Sequence, residues 1–89
     1  MHLIDQALYD VYGIPLHMRD GLNFWFDHHR EPGGFLQAVL QNDLVRAVMC
    51  GDAINRSCLH SYVLFLTNEA PDASYGSHQK YLDWIDPVK

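Results

Sequence analysis

The helical spacing of the apolar residues constrains the fold of this chain most strongly, because it leaves almost no segment with the alternation of a β-strand. Between residues 33 and 48 the apolar positions recur with a period near 3.6, and polar side chains occupy the opposite side. This spacing predicts one long amphipathic helix. Its apolar stripe consists of Phe35, Leu36, Val39, Leu40, Leu44, Ala47 and Val48.

Shorter helices are predicted on the N-terminal side of this segment. Leu3, Ile4, Ala7, Leu8 and Val11 share one side of a first helix, and a glycine two residues later suits its C-terminal stop. A second helix is expected to start near residue 15, a proline whose missing N–H costs nothing in a first helical turn.

The C-terminal half shows the same pattern with clear start and stop signals. After Gly51 the apolar stripe continues or restarts, with Asp52 available as an N-cap and Pro71 as the stop. Ser77 can cap a final short helix that points Tyr81, Leu82, Trp84 and Ile85 inward. The sequence therefore predicts an all-α domain of four or five helices.

Length and composition indicate one domain that self-associates. We expect the 89 residues to form a single helical domain, residues 1–89, and a fold of this size buries only about two-thirds of the surface that its unfolded chain exposes. Hydrophobic residues nevertheless make up 48% of the chain, and it carries two Trp, five Tyr and four Phe. We therefore expect a homo-oligomer, because a symmetric partner can cover the remaining apolar surface.

The charge balance restricts the partners. The formal net charge is −5, whereas non-specific binding to DNA or RNA requires a broad basic face. A small anionic ligand in a local pocket remains compatible with this charge. The chain shows no leader pattern and no apolar run of roughly 18 residues, so we expect a soluble protein that does not enter a membrane.

The residues that carry most enzyme chemistry are not arranged in a catalytic or metal-binding pattern. The six histidines lack the spacing of metal ligands, and we expect structural or surface roles for them. Cys50 and Cys58 show no nucleophile signature and are expected to be buried, inert thiols. The sequence therefore predicts no catalytic residue, no metal and no cofactor, and it favours a binding protein over an enzyme.

The stretch "REPGGFLQAVLQNDL" raises the most specific question, because a proline and two glycines precede a helix. One interpretation is an ordinary loop that leads into a helix. The other is an N-terminus left open for an anion, since Gly33 and Gly34 lack the Cβ atoms that would keep a phosphate away. Arg30 could supply a counter-charge there, and Trp25 and Phe26 could offer flat surfaces to bases, although core positions are their default.

Several motifs together carry a resemblance to a known family. The strings "IPLHMRDGL", "PGGFLQAVLQNDL", "GDAINRSCL", "NEAP", "YGS" and "YLDWI" cover about residues 14 to 86. They resemble a set of small tailed-phage proteins, and within it the second anti-CBASS family. Members of that family sequester the cyclic oligonucleotide messengers of bacterial antiviral signalling in the cytoplasm of the infected host.

The resemblance implies a compact homohexamer that binds its ligands without cleaving them. Cyclic dinucleotides such as cyclic GMP-AMP would lie between paired protomers, and cyclic trinucleotides such as cyclic tri-adenylate would occupy separate pockets on three-fold axes. The dinucleotide residues implied for this chain are Trp25 or Phe26 as the stacking platform, Pro32, Gly33, Gly34 and Gln41, and the counter-charge of Arg30 completes the predicted pocket. The trinucleotide residues implied are Arg56, Ser77, His78 and Lys80.

One position departs from the family pattern. Gln41 stands where a lysine would supply a positive charge, and an amide cannot replace that charge, so the preferred messenger is left open. Two other function classes also remain: a protein-interaction domain without a nucleotide ligand, and a small phosphodiesterase.

Overall fold

The computed structural model describes residues 1–86, and every regular element within them is helical. A 3₁₀ turn, Asp72–Ser74, lies between the last two of seven α-helices. The helices are α1 Ala7–Tyr12, α2 Leu16–His28, α3 Gly34–Leu40, α4 Leu44–Cys50, α5 Ala53–Ser57, α6 Leu59–Glu69 and α7 His78–Ile85. The all-α prediction is confirmed, whereas the number of helices exceeds the predicted four or five.

The predicted long helix is two helices. The chain turns between α3 and α4, where Asn42 adopts a left-handed conformation with φ of 62°. Asp43 then caps α4, because its side chain accepts a hydrogen bond from the backbone N–H of Arg46 at 3.2 Å. Leu40 and Leu44 are four residues apart, so the apolar period runs across the break and conceals it.

The segment after Gly51 restarts rather than continues, and it too is divided. Asp52 caps α5 by accepting from the N–H of Asn55 at 2.7 Å, as predicted. Cys58 separates α5 from α6 with φ of −123°, outside helical geometry. A Cβ on Gly51 would lie 2.9 Å from the ring of Phe35, so the close packing of α3 on α4 requires glycine there.

The predicted caps at the two ends of the chain are also confirmed. Gly13 ends α1 in a left-handed conformation with φ of 71°. Ser77 begins α7 by accepting from the N–H of Lys80 at 3.1 Å. These caps depend on one or two residues each, which is why local sequence predicts them.

The core contains two larger groups of aromatic rings beside a pair formed by Phe35 and Tyr62, whose centroids are 5.3 Å apart. Phe65 of α6 lies at the centre of one, with the ring centroids of Tyr9, Tyr12 and Phe26 between 5.3 and 6.1 Å away. Trp25 forms the other with Tyr81 and Trp84 of α7. Helix α2 therefore joins the N-terminal and C-terminal parts of the fold.

Several apolar residues predicted to face inward are exposed. Leu3, which precedes α1, and Val11 of α1 are both exposed, and Leu82 is partly exposed on α7. On the stripe of α4 to α6, Leu44, Val48, Ile54 and Val63 are exposed as well. The core of this small domain is therefore narrower than its apolar sequence pattern, and the surplus lies on the surface.

Candidate functional site

The two aromatic residues predicted as stacking platforms lie in the protomer's own core. The indole of Trp25 is 0% exposed, donates its N–H to the carbonyl of Ser74 at 3.1 Å, and stacks on Tyr81 with centroids 4.7 Å apart. Phe26 is 2% exposed and packs against Phe65. The prediction for both residues is wrong, because neither ring has a face that a base could contact.

The positions of Trp25 and Phe26 around the axis of α2 explain their burial. Leu22, Trp25 and Phe26 follow i, i+3, i+4 spacing, and together they form the buried side of α2. Phe24 lies on the opposite side and is 48% exposed. The spacing from Leu22 was the signal that assigns Trp25 and Phe26 to the core.

The proline-glycine turn lies at the surface and begins α3. Pro32 is buried, and its carbonyl accepts a hydrogen bond from Gln37 Nε2 at 2.8 Å. Gly33 and Gly34 are exposed, and no side chain caps the helix. Gly33 has φ of −66°, which any residue adopts, so the backbone conformation does not require glycine.

Packing within the protomer does not require these glycines either. A Cβ on Gly33 would meet no atom within 4 Å, and a Cβ on Gly34 would lie 3.9 Å from Cys50 Sγ, an ordinary contact. An added Cβ atom would therefore fit at both positions. The fold leaves an open stretch of backbone whose two glycines have no role in the protomer's own geometry.

The segment before this turn is held against α7. The carboxylate of Glu31 accepts a hydrogen bond from the Tyr81 hydroxyl at 3.1 Å. Burial, assisted by this carboxylate, raises the pKa of Tyr81 well above its usual value, so the hydroxyl stays protonated as the donor. Arg30 is exposed beside Glu31, and its backbone N–H donates to the carbonyl of Phe24 at 3.2 Å. The Arg30 side chain thus lies at the surface near the glycine turn.

At the other end of α3 the structure joins residues that were predicted for separate pockets. Gln41 Oε1 lies 2.5 Å from His78 Nδ1. The N–H of Gly76 donates to the carbonyl of Leu40 at 2.9 Å, which fixes the loop before α7 on the end of α3. Gln41, Ser77, His78 and Lys80 therefore form one surface group, which we call the α3–α7 cluster.

Arg56, the fourth residue predicted for the trinucleotide pocket, lies outside the α3–α7 cluster. Arg56 is exposed on α5, and no side-chain hydrogen bond among residues 1–86 connects it to the α3–α7 cluster. Lys80 directs its ammonium to Asp72, 3.2 Å from the backbone carbonyl and 3.4 Å from the carboxylate. The structure thus supports grouping Ser77, His78 and Lys80, but it does not add Arg56 to them.

A groove of about 220 Å³ adjoins the loop that precedes this cluster. Tyr75 and Gly76 line one part of it, and Val39, Asn42, Val63, Leu66 and Thr67 line the rest. Pockets that enclose small molecules usually measure roughly 300–1,000 Å³. Sequence reasoning missed Tyr75, and its place directly before the Gly76–Ser77 turn was the available signal.

A second depression, of about 490 Å³, lies at the N-terminus and has one carboxylate in its lining. His2 and His28 border it together with Asp27. The N–H of Leu3, which donates to Asp27 at 2.7 Å, holds the pKa of this carboxyl below its usual range, and the His2 imidazole adds to the effect against the opposing influence of burial. The resulting negative charge disfavours a phosphate at this place.

Cysteine and histidine chemistry contributes no further site. Both cysteines are free, and Cys50 is exposed rather than buried as predicted, because it ends α4 at the surface. Cys58 is partly buried, and burial raises the pKa of its thiol. Across residues 1–86 no three His, Cys, Asp or Glu side chains come together in a group that could hold a metal ion.

None of the helices in the described part of the chain combines the length and the apolar character that crossing a membrane requires. No protein-family model, curated protein or solved structure matches the chain. Its function must therefore be inferred from its sequence motifs and from the geometry of its surface.

Proposed function

We propose that this protein sequesters cyclic oligonucleotide messengers in pockets between copies of its chain, without cleaving them. It would act in the cytoplasm of a phage-infected bacterium and block CBASS-type signalling. The resemblance of its motifs suggests this function. The observation that carries the proposal is the open backbone at Gly33 and Gly34, whose glycines neither the conformation nor the packing of the protomer requires.

Glycine at such a position is explained by something outside the protomer that approaches the backbone closely. A phosphate group fits this requirement, because its oxygens accept hydrogen bonds from backbone N–H groups that no Cβ shields. The exposed Arg30 lies three residues before Gly33 and can supply a guanidinium to the same phosphate. The proposal therefore keeps Arg30, Gly33 and Gly34 in the dinucleotide site and removes Trp25 and Phe26.

The α3–α7 cluster is the candidate for a second ligand site. Ser77, His78 and Lys80 offer a hydroxyl, an imidazole and an ammonium, and Gln41 adds an amide that can pair with a base edge. Tyr75 lines the adjoining groove and supplies the aromatic ring on which a base could stack. This group would bind the trinucleotide, and Gln41 would belong to it rather than to the dinucleotide site.

Both sites require more than one chain. The groove of about 220 Å³ is smaller than a usual small-molecule pocket, and a cyclic dinucleotide carries two bases and two phosphates. A two-fold or three-fold axis multiplies each phosphate-binding group, so few cations per chain suffice in a chain of net charge −5. Local geometry can then outweigh the overall charge.

The proposal is tested by native mass spectrometry of the protein with a panel of cyclic di- and trinucleotides. Gly34→Val should weaken dinucleotide binding at least about tenfold, or about 1.4 kcal/mol, because its methyl groups shield the backbone. Ala53→Val, which adds a β-branched residue at the first position of α5, is the matched control and should bind as the wild type does.

The outcomes separate the three function classes. Ligand recovered unchanged after denaturation supports sequestration, whereas a linear or hydrolysed product indicates an enzyme. Equal affinity of Gly34→Val and the wild type would contradict the glycine site, even if a ligand binds elsewhere. Absence of any bound nucleotide overturns the proposal.

Exposed apolar side chains favour a second candidate, a protein-interaction domain without a nucleotide ligand. Leu44 and Met49 of α4 are 69% and 79% exposed, unusually high values for large aliphatic side chains. This candidate predicts no change of melting temperature with any cyclic nucleotide. It also predicts a stoichiometric protein partner recovered from infected cells.

A further inference from the structure

We propose that the exposed apolar surface of α4 and α6 is the interface through which copies of this chain associate. We call it the α4–α6 face and define it by Leu44, Val45, Val48, Met49, Val63 and Leu64. The inference concerns assembly alone, and it does not depend on a nucleotide ligand.

The two helices present their apolar residues side by side. Leu44 and Ala47 of α4 and Leu59 and Val63 of α6 line one shallow hollow of about 60 Å³ between them. Ala47 is buried, and helical geometry places Val45 and Met49, two residues before and after it, on the opposite and outermost side of α4. Val45 and Met49 are 75% and 79% exposed. The surface is therefore continuous from the hollow to the crest of α4.

The area matches what a dimer interface needs. Burying an aliphatic side chain is worth roughly 1.5–3 kcal/mol at about 25 cal/mol for each Å², which corresponds to roughly 60–120 Å², so the six partly exposed residues of the face together expose roughly 220–440 Å² of apolar area. A standard interface covers about 800 Å² per partner, of which roughly 450–520 Å² is apolar. The α4–α6 face alone supplies roughly half or more of this apolar share.

Charge distribution favours a second copy as the occupant. Residues 43–69, which include the cap of α4 and all of α6, contain Arg46 and Arg56 against three carboxylates, a net charge of −1, so the rest of the chain carries −4. Each carboxylate of this segment is engaged within the protomer: Asp43 caps α4, Asp52 caps α5, and Glu69 accepts a hydrogen bond from the Tyr12 hydroxyl at 2.6 Å. None of the six residues that define the α4–α6 face is charged, so two copies of this acidic chain can bring these residues together with little charge repulsion.

A symmetric contact also suits the shape of the face. In a two-fold interface the same surface is used by both copies, and it must be complementary to itself. An apolar crest beside a shallow apolar hollow meets this condition, because the crest of each copy can pack toward the hollow of the other. A strongly acidic or basic partner would instead require a dense rim of the opposite charge, whereas the three helices of this segment carry two cationic side chains, Arg46 and Arg56.

The test compares two charge-matched double variants by sedimentation velocity and native mass spectrometry. Val45→Glu with Met49→Glu places carboxylates on the crest, and Val11→Glu with Leu16→Glu adds the same charge at exposed apolar positions of α1 and α2. At about 100 μM protein, well above a micromolar dissociation constant, the wild type and the Val11/Leu16 variant should be assembled. The dissociation constant of the Val45→Glu, Met49→Glu variant should be at least about a hundredfold higher than that of the wild type.

Each outcome decides the proposal. A monomeric wild type at this concentration overturns it, and so does an oligomer that survives Val45→Glu with Met49→Glu or dissociates only with the Val11/Leu16 pair. Far-ultraviolet circular dichroism checks that each variant is folded. If the α4 variant unfolds, Leu64→Glu on α6 tests the same face independently, because Leu64 is also exposed.

Discussion

Trp25→Phe tests whether the indole belongs to the core or to a ligand site. The substitution removes the N–H that donates to the Ser74 carbonyl at 3.1 Å, and Ser74 is completely buried. A buried carbonyl left without its donor costs about 1–3 kcal/mol. The smaller ring also loses three carbon or nitrogen atoms of buried contact, at about 0.8 kcal/mol for each CH₂-sized group. We therefore expect a loss of about 3–5 kcal/mol in the free energy of unfolding.

This loss is large for a chain of 89 residues, whose total stability is on the order of 4–13 kcal/mol. The melting temperature should fall by at least about 12 °C, since each kcal/mol corresponds to about 4–8 °C in a domain of this size. Differential scanning calorimetry measures the change. Phe24→Leu alters the neighbouring exposed ring and should lower the stability by less than about 1 kcal/mol. The reasoning fails if Trp25→Phe melts as the wild type does and loses nucleotide binding instead.

Two further predictions concern stability. Tyr62→Phe should lower the free energy of unfolding, measured in urea, by about 1–3 kcal/mol, because it removes the hydroxyl that donates to the buried Asn55 Oδ1 at 2.8 Å. The control Tyr75→Phe should lower it by less, because the Tyr75 hydroxyl makes no hydrogen bond within residues 1–86. The pKa of Asp27 is lowered, so its contribution to stability is present at neutral pH and is lost as the pH falls below about 4. Asp27→Asn should therefore have a lower melting temperature than the wild type at pH 7 and a shallower decline of melting temperature in acid, while Asp20→Asn should follow the wild type. Parallel acid profiles for the wild type and Asp27→Asn would contradict this assignment.

Local signals predicted the helix ends better than they predicted helix continuity. Gly13, Asp52 and Ser77 end or begin helices as expected, because a cap is a property of the few residues around it. The break between α3 and α4 was missed because Leu40 and Leu44 keep the helical period across it. A left-handed residue can occur within an unbroken apolar pattern, so periodicity alone does not show where a helix stops.

The candidate site was predictable only in part, and the reason is distance along the chain. Gly33 and Gly34 are exposed where α3 begins, as the sequence indicated, since proline and glycine together are typical of a loop that leads into a helix. Gln41 and His78, which lie in contact, are 37 residues apart, and only the tertiary fold brings them together. Trp25 was placed wrongly although its spacing from Leu22 indicated a core position; its partners Ser74 and Tyr81 lie far along the chain, and no local pattern connects them to α2.

Assembly and ligand binding are linked in space but can be separated by experiment. A Cβ on Gly34 would lie 3.9 Å from Cys50 Sγ, so the glycine turn adjoins the end of α4 and the edge of the α4–α6 face. A second copy packed on α4 would therefore approach the open backbone and could complete a pocket there. If this is how the pocket forms, Val45→Glu with Met49→Glu should abolish dinucleotide binding together with assembly, whereas Gly34→Val should weaken binding and leave the oligomer intact. A monomeric variant that still binds the dinucleotide with wild-type affinity would show that the pocket lies within one protomer, and it would leave the assembly interface itself unchallenged.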